Sequence, residues 1–536
     1  MRDFLAYAEF EGFWERFRPE TPFGREVQEK LIVLSDAVEL AAIWDQTDTL
    51  LAFLRELERD EVRLNRITHH LKRLPRFAEE AHPVYDEVEI FQFKKFLHNY
   101  KSIGELLSPG IRAAFDFSYA SEGFERMLDV GRQSAESFFV SDEYSEALAS
   151  VRSEIRKVDE AINQAREARR VEIKLRWDIE FGFRDFVLVA RDLLGDPGRA
   201  SELLLVEPYD ETKYAIRPLK SAEEMVLSER RISLLARERS CEEEVLEAIS
   251  HAARLELPRI LVYRERVRGF DLALARARLA REYGLVRPVL TAGPIRIEQG
   301  RFVPCAETCR AMGTRYNPLD AKFDGSVTVV FGSNMGGKTV ALKTVAFLQL
   351  CAQTGLFVPA AAFETKLFRN FHYLGEGCAK DDTQGLSGFG FEIRQFTRAW
   401  QTFGKPTLVL FDEFARTTNS HEAEALISAV IEALADHPCV TAFFSTHFRG
   451  VQRLERVRYL RMQGLDRRSL DFHEAEGVAL DERIRLINRH MDHRLVPDDS
   501  TRTLSDAIAV AALLGLDPSI TARAAHYFQT ENRAQE

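Results

Sequence analysis

Apolar positions change period along this chain, and each period predicts a different kind of element. Over residues 1–130 they recur at helical spacing: Val27, Leu31, Leu34, Val38 and Ala41, then Leu50, Leu54 and Leu57, then Val62 and Leu64. Thr21-Pro22-Phe23-Gly24 predicts a turn before the first of these helices, with Thr21 as its cap. Residues 88–97, rich in phenylalanine, predict a further amphipathic helix. No cluster of chemistry-bearing residues interrupts this block, which reads as a helical scaffold.

From Tyr144 the steps alternate between four and three. Tyr144, Leu148, Val151, Ile155, Val158 and Ile162 form a heptad seam, with Arg152, Glu154, Arg156, Lys157, Asp159 and Glu160 on the other faces. A second long helical stretch runs over 222–283, with a break expected at Pro258. Residues 204–209 and 215–218 between the two read as short strands or a turn. Two long helices with such a tip predict an antiparallel lever; a compact helical bundle is the alternative.

Residues 286–325 are mixed, with turns at Pro288, Gly293-Pro294 and Pro304. After them β-rich runs alternate with helical ones, which predicts a parallel sheet covered on both faces. Its strand candidates are 327–331, 368–374, 407–411 and 440–445. Beyond about residue 480 the pattern turns helical again and ends in a polar tail.

The candidate chemistry sits at the ends of these strands. Gly332-Ser333-Asn334-Met335-Gly336-Gly337-Lys338-Thr339 follows the first strand and opens a helical pattern, the context a phosphate loop requires. Its glycines let backbone N–H groups turn towards phosphate oxygens, and the helix N-terminus adds favourable potential for an anion. Lys338 would reach the β- and γ-phosphates, and the Thr339 hydroxyl would coordinate Mg²⁺. A nucleoside triphosphate is the predicted ligand. The run ending Phe411-Asp412-Glu413 delivers two carboxylates at the C-terminal end of a buried strand, where α/β sheets place their ligands. Asp412 suits Mg²⁺, and Glu413 suits polarising the attacking water. Phe443-Phe444-Ser445-Thr446-His447 ends another strand, and His447 could sense the γ-phosphate or orient that water. Between them Asp381-Asp382-Thr383-Gln384-Gly385-Leu386-Ser387-Gly388-Phe389-Gly390-Phe391-Glu392 is a second anion-binding loop before a helix. One rigid sheet cannot easily bring both loops to the same phosphates. Ser387 is therefore expected to complete the site of a partner subunit, which makes the enzyme a dimer.

Composition narrows the classes. A chain of 536 residues holds several domains, and a net charge of -11 excludes a uniformly basic nucleic-acid coat. Any DNA contact must be local. The basic cluster Arg166, Arg169, Arg170, Lys174 and Arg176 is interleaved with Glu167, Glu172 and Asp178, so it reads as a solvated face or as a phosphate contact. Six cysteines show no C-x-x-C pair, and Cys305 with Cys309 lack a second pair at zinc-ligand spacing, so reduced thiols are expected. No signal pattern opens the chain and no apolar run reaches spanning length, which predicts a cytoplasmic protein without a membrane segment.

Taken in order, these motifs resemble the MutS family of ATPases. Asn317-Pro318-Leu319, Gly355-Leu356-Phe357-Val358-Pro359-Ala360 and Ala507-Ile508-Ala509-Val510-Ala511-Ala512-Leu513-Leu514-Gly515-Leu516-Asp517-Pro518 are similar to that family as well. The resemblance implies a helical core domain over 1–130, lever and clamp helices over 131–285, an ABC-type P-loop ATPase domain over 286–480 and a helix-turn-helix dimerisation segment over 481–536. It implies ATP hydrolysis to ADP and phosphate with Mg²⁺. Gly332, Ser333, Asn334, Met335, Gly336, Gly337, Lys338, Thr339 and Asn317 would hold the nucleotide, Thr339 and Asp412 the metal, and Glu413, His447 and Ser387 would act in catalysis. The implied partners are a second copy or a related chain, and mismatched or branched DNA held in an ATP-gated clamp by its phosphates.

Departures from the family pattern are visible too. Ser333 stands where proline is common, and Ala415-Arg416-Thr417-Thr418-Asn419 replaces a usual glycine-arginine-glycine-threonine run. On this resemblance the chain is expected to open directly at the core, without recognition and connector domains; Phe13-Trp14-Glu15 spells a Phe-x-Glu wedge but is expected to be a chance match. These features, with the acidic charge, keep open a MutS-derived ATPase that remodels a protein partner. In a transporter-type or chromosome-maintenance ATPase the helical arm would interrupt the nucleotide domain, whereas here it lies upstream of Gly332.

Overall fold

In the computed structural model the heptad seam becomes one helix, Glu146–Trp177, capped by the Ser145 hydroxyl. The structure describes residues 1–131, 134, 137–182, 186–194, 202–332, 336–375, 388–466, 478–498 and 506–535. They fall into two compact units, one of residues 66–107 and 116–267, the other of 1–65, 108–115 and 268–536.

In the first unit Leu148, Val151, Ile155, Val158 and Ile162 are buried, and Leu234 of the returning helix Ala222–Tyr283 joins their cluster. Ion pairs fix the direction. Arg152 meets Glu238 and Glu242, Asp159 meets Arg231, and Arg166 meets Glu224. Later residues of one helix face earlier residues of the other, so the two run antiparallel. Tyr144 lies in a one-turn 3₁₀ segment, Asp142–Tyr144, before the helix rather than on it. At the tip β1 (Val187–Ala190), β2 (Leu204–Pro208) and β3 (Lys213–Pro218) form an antiparallel sheet of order β1-β3-β2 over buried Ile173, Val189, Leu204 and Ile216. Pro258 does not break the returning helix as expected. Its lost N–H costs one backbone bond, but buried Ala253, Leu257 and Ile260 hold the helix in register on either side. The helix Glu87–Leu106 starts at a capping box of Asp86 and Glu89, and its Tyr100 stacks on Tyr263 with ring centroids 4.4 Å apart. In the basic cluster Arg166 pairs with Glu224, Arg169 and Arg176 with Glu172, and Lys174 with Glu180. Intrachain carboxylates thus answer these charges.

The second unit corrects the first helix expected from periodicity. Thr21 caps a short helix, Pro22–Gln28, but Leu31 then takes φ +30 and a second helix, Ala37–Glu56, starts at the Asp36 cap. Leu34 between them donates its backbone N–H to the Gln353 carbonyl at 2.7 Å, and Val38 is 80% exposed. Spacing alone does not carry that tertiary hydrogen bond. The short helices Arg2–Tyr7 and Phe10–Trp14 bury Phe4, Tyr7, Phe10, Phe13 and Trp14. Phe13 packs on Phe347 with centroids 5.0 Å apart, so Phe13 and Trp14 lie in the core, with Glu15 exposed beside them, and the phenylalanine is not free to serve as a wedge.

The remaining strands are β4 (Val289–Leu290), β5 (Ile295–Gly300), β6 (Leu319–Phe323), β7 (Val327–Phe331), β8 (Ala362–Thr365), β9 (Asn370–Gly375), β10 (Thr407–Asp412), β11 (Val440–Thr446), β12 (Arg458–Leu465) and β13 (Met491–Pro497). A smaller sheet has the order β4-β8-β5-β6, and the main one β13-β12-β7-β11-β10-β9. The main sheet is mixed, a correction to the parallel expectation: β13 runs antiparallel to β12 while the other pairs are parallel. That strand also interrupts the segment expected to be helical, following the helix Leu480–His490. Every residue of β7, β10 and β11 is buried, as strands covered on both faces require. The helix Lys338–Gln353 packs in one apolar layer and Ser420–Ala435 in another. In register, Asp412 lies opposite Ser445 and Gly375, and Thr446 opposite Phe331. The polar strand ends therefore share one edge of the sheet. The 507–518 motif folds as two helices, Asp506–Leu513 and Pro518–Gln535, joined by a turn.

Candidate functional site

The loop after β7 is built around a backbone that needs glycine. Gly337 has φ +90, and a Cβ there would meet His493 Nδ1 at 2.9 Å. Ser333, Asn334 and Met335, and Ser387 with residues 376–387, lie outside the described residues. Lys338 opens the helix Lys338–Gln353 and is only 3% exposed. It folds back along the loop, where its Nζ donates to the Gly332 carbonyl at 2.8 Å and stands 3.5 Å from Glu413 Oε1. Burial pulls its pKa down, while the Glu413 carboxylate opposes that shift. A buried ammonium beside a helix N-terminus suits an incoming anion.

Thr339 and Asp412 meet from separate elements. The Thr339 hydroxyl donates to Asp412 Oδ1 at 3.3 Å, and the Ser445 hydroxyl donates to the same oxygen. Asp412 Oδ2 accepts from the Tyr7 hydroxyl at 3.2 Å. Hydroxyl and carboxylate oxygens are the donor set a small hard cation such as Mg²⁺ takes. Ser445 could be noticed within its strand-end motif. Tyr7 could not, because its helix reads as scaffold.

Glu413 stands at the turn after β10 with φ +55, a left-handed conformation that a non-glycine residue rarely adopts. Its backbone N–H donates to the Ser445 carbonyl at 3.1 Å, which ties the two strand ends together. Its side chain faces Lys338, His447 Nδ1 at 3.9 Å and Arg416 Nη1 at 3.3 Å. His447 first, then Lys338, hold its carboxyl below the usual carboxylate range, against burial. At 3.9 Å the histidine nitrogen stands beyond the length of a fully formed hydrogen bond. The His447 side chain is 38% exposed and packs on Phe448. Ala415, also left-handed at φ +62, donates its N–H to Glu392 Oε2 at 2.8 Å. Burial pushes the Glu392 carboxyl up, with that N–H opposing.

Beside the loop a cavity of about 110 Å³ is lined by Tyr316, Asn317, Gly337, Val340, Met462 and His493, among others. The structure thus brings Asn317 into one cavity with Gly337 of the loop. His493 Nδ1 lies 3.1 Å from the Gly336 carbonyl, and this β13 residue escaped the sequence reading. Cys305 and Cys309 line the same cavity; burial, then Cys309, push the Cys305 thiol up to about 11. Among the described residues no cluster of three or more His, Cys, Asp or Glu could hold a metal by itself. No described helix is long and apolar enough to cross a membrane.

Residues 328–530 match the family model described as MutS domain V. The chain is 30% identical over 324 residues to the "DNA mismatch repair protein MutS" of Myxococcus xanthus, a match covering 59% of this chain and 34% of that protein. It is 28% identical over 309 residues to the protein of the same name from Geobacillus kaustophilus, covering 57% and 32%. The namesake from Salinibacter ruber is 28% identical over 331 residues, covering 60% and 33%. The chain thus spans about a third of the length of these curated relatives.

Proposed function

We propose, from the MutS domain V that this chain carries over residues 328–530, that it is a MutS-type ATPase working as a dimer on DNA. The observation that carries the proposal is the meeting of Lys338, Thr339, Asp412 and Glu413 at one sheet edge. Lys338 would leave the Gly332 carbonyl for the β- and γ-phosphates, and Asn317 would border the base in the adjoining cavity. Thr339 and Asp412 would hold Mg²⁺. Bound ATP would supply the transferable phosphoryl group, and Mg²⁺ would neutralise its charge. Glu413, kept ionised by His447 and Lys338, would accept a proton from the attacking water, and His447 would orient that water. The backbone N–H groups of the glycine loop would cradle phosphate oxygens. Ser387 would complete the site of a second copy, or of a related chain, so that ATP closes the dimer and moves the antiparallel helices.

Mismatched or branched DNA, gripped through its phosphates, is the substrate proposed. The names of the similar proteins, DNA mismatch repair proteins, support it. Binding to mismatched, branched and plain duplexes, with and without ATP and across salt concentrations, tests it; ATP- and salt-dependent retention on the first two is expected. A second reading, remodelling of a protein partner, is favoured by the intrachain pairing of Arg166, Arg169, Lys174 and Arg176 with carboxylates. No retention on any DNA at low salt would select it.

A further inference from the structure

The helix Arg2–Tyr7 belongs by its sequence to the scaffold, yet its last residue touches both metal-site residues. The Tyr7 hydroxyl lies 3.2 Å from Asp412 Oδ2 and 3.3 Å from the Thr339 carbonyl. A phenol has one proton to donate, and these two acceptors share it. The other carboxylate oxygen, Oδ1, already accepts from Thr339 and Ser445. Oδ2 therefore depends on Tyr7 for its orientation. The ring is fixed from two directions: it stacks on Tyr373 with centroids 3.9 Å apart, and the Lys343 ammonium stands 5.5 Å from its centre. Phe4, one turn earlier, meets Phe371 edge-on at 5.2 Å and seats the helix over β9.

We propose that Tyr7 is a positioning residue of the metal site, whose hydroxyl turns the Asp412 carboxylate so that Oδ1 and the Thr339 hydroxyl face one cation. The proposal rests on the ATP and Mg²⁺ reading above. A buried tyrosine needs some partner in any case. What distinguishes positioning from mere packing is an effect on metal affinity that stability does not share.

The test compares wild type, Tyr7→Phe and Phe4→Leu. Tyr7→Phe keeps the stacked ring and deletes the hydroxyl, while Phe4→Leu loosens the same helix without touching Asp412. Mn²⁺ binding with a non-hydrolysable ATP analogue is followed by the electron paramagnetic resonance of free Mn²⁺, which requires no turnover. Analogue binding in EDTA, melting temperature and the Mg²⁺ dependence of hydrolysis accompany it. Tyr7→Phe should weaken Mn²⁺ binding on the order of tenfold. Its half-saturating Mg²⁺ should rise by a similar factor, excess Mg²⁺ should restore turnover, and analogue affinity in EDTA should hold. Phe4→Leu should lower the melting temperature and leave Mn²⁺ affinity alone. Equal Mn²⁺ affinity in Tyr7→Phe and wild type, or an equal loss in Phe4→Leu, overturns the role of Tyr7 and leaves the ATPase reading standing. A wild-type chain that binds neither Mn²⁺ nor the analogue overturns both.

Discussion

The Thr339 hydroxyl donates to Asp412 Oδ1 at 3.3 Å, joining residues 73 positions apart in the chain. One opens the helix behind β7, and the other ends β10, with β11 lying between the two strands. The contact exists because parallel strands of matching register end together. Asp412→Asn keeps the shape of that end and removes its charge. It should weaken Mg²⁺ binding about 10- to 100-fold while nucleotide binding in EDTA persists. Titration calorimetry with and without the metal checks this; unchanged Mg²⁺ affinity would count against the metal role.

Glu413 offers a test of the water-activating role. Glu413→Gln should bind ATP as wild type does and lose roughly 10²- to 10⁴-fold in turnover. A pH profile adds a sign. The ionised form is the active base, and His447 is the first cause of its lowered pKa. Wild-type turnover should therefore fall only as pH drops below the ordinary carboxylate range. His447→Ala removes the main stabiliser of the ionised form, so the acid limb should move to higher pH. An acid limb that stays in place would refute the coupling.

Glu392 holds the loop behind Glu413 through the Ala415 N–H, and burial raises its pKa. A carboxyl that binds its proton more tightly when folded stabilises most below its unfolded pKa. That contribution disappears as pH rises through the folded value. Glu392→Gln keeps an acceptor for Ala415 and has no proton to lose. Its melting temperature relative to wild type should thus climb as pH goes from about 4 to about 7. A difference that is flat across this interval would mean that the buried carboxyl carries no linkage.

Pro258 is an exposed residue inside an unbroken helix. Pro258→Ala restores one backbone donor and should stabilise the chain by up to about 3 kcal/mol. Urea unfolding measures it; a variant no more stable than wild type would show that the helix gains nothing from the missing bond.

Legibility in the sequence followed the range of the interactions. The buried strands β7, β10 and β11 could be read because each is a continuous apolar run, and their polar ends because glycine, carboxylate and histidine stand directly after them. The strand β13 could not. Its Met-Asp-His-Arg-Leu-Val-Pro sequence is half polar, and pairing with β12 is what makes it a strand. Leu31 was hidden likewise, since its left-handed turn goes with the hydrogen bond from Leu34 to the distant Gln353. Tyr7 and His493 reach the site only through tertiary packing, from elements that carry no local sign of chemistry.

The central claim is that the glycine loop and Lys338 grip a triphosphate. Equilibrium binding of ATP in saturating Mg²⁺ to wild type and to Lys338→Ala tests it most directly. The account predicts saturable wild-type binding and a loss of about a hundredfold in the variant, as deleting a charge-assisted contact demands. Equal affinity in the two chains, or no binding by wild type, would contradict it.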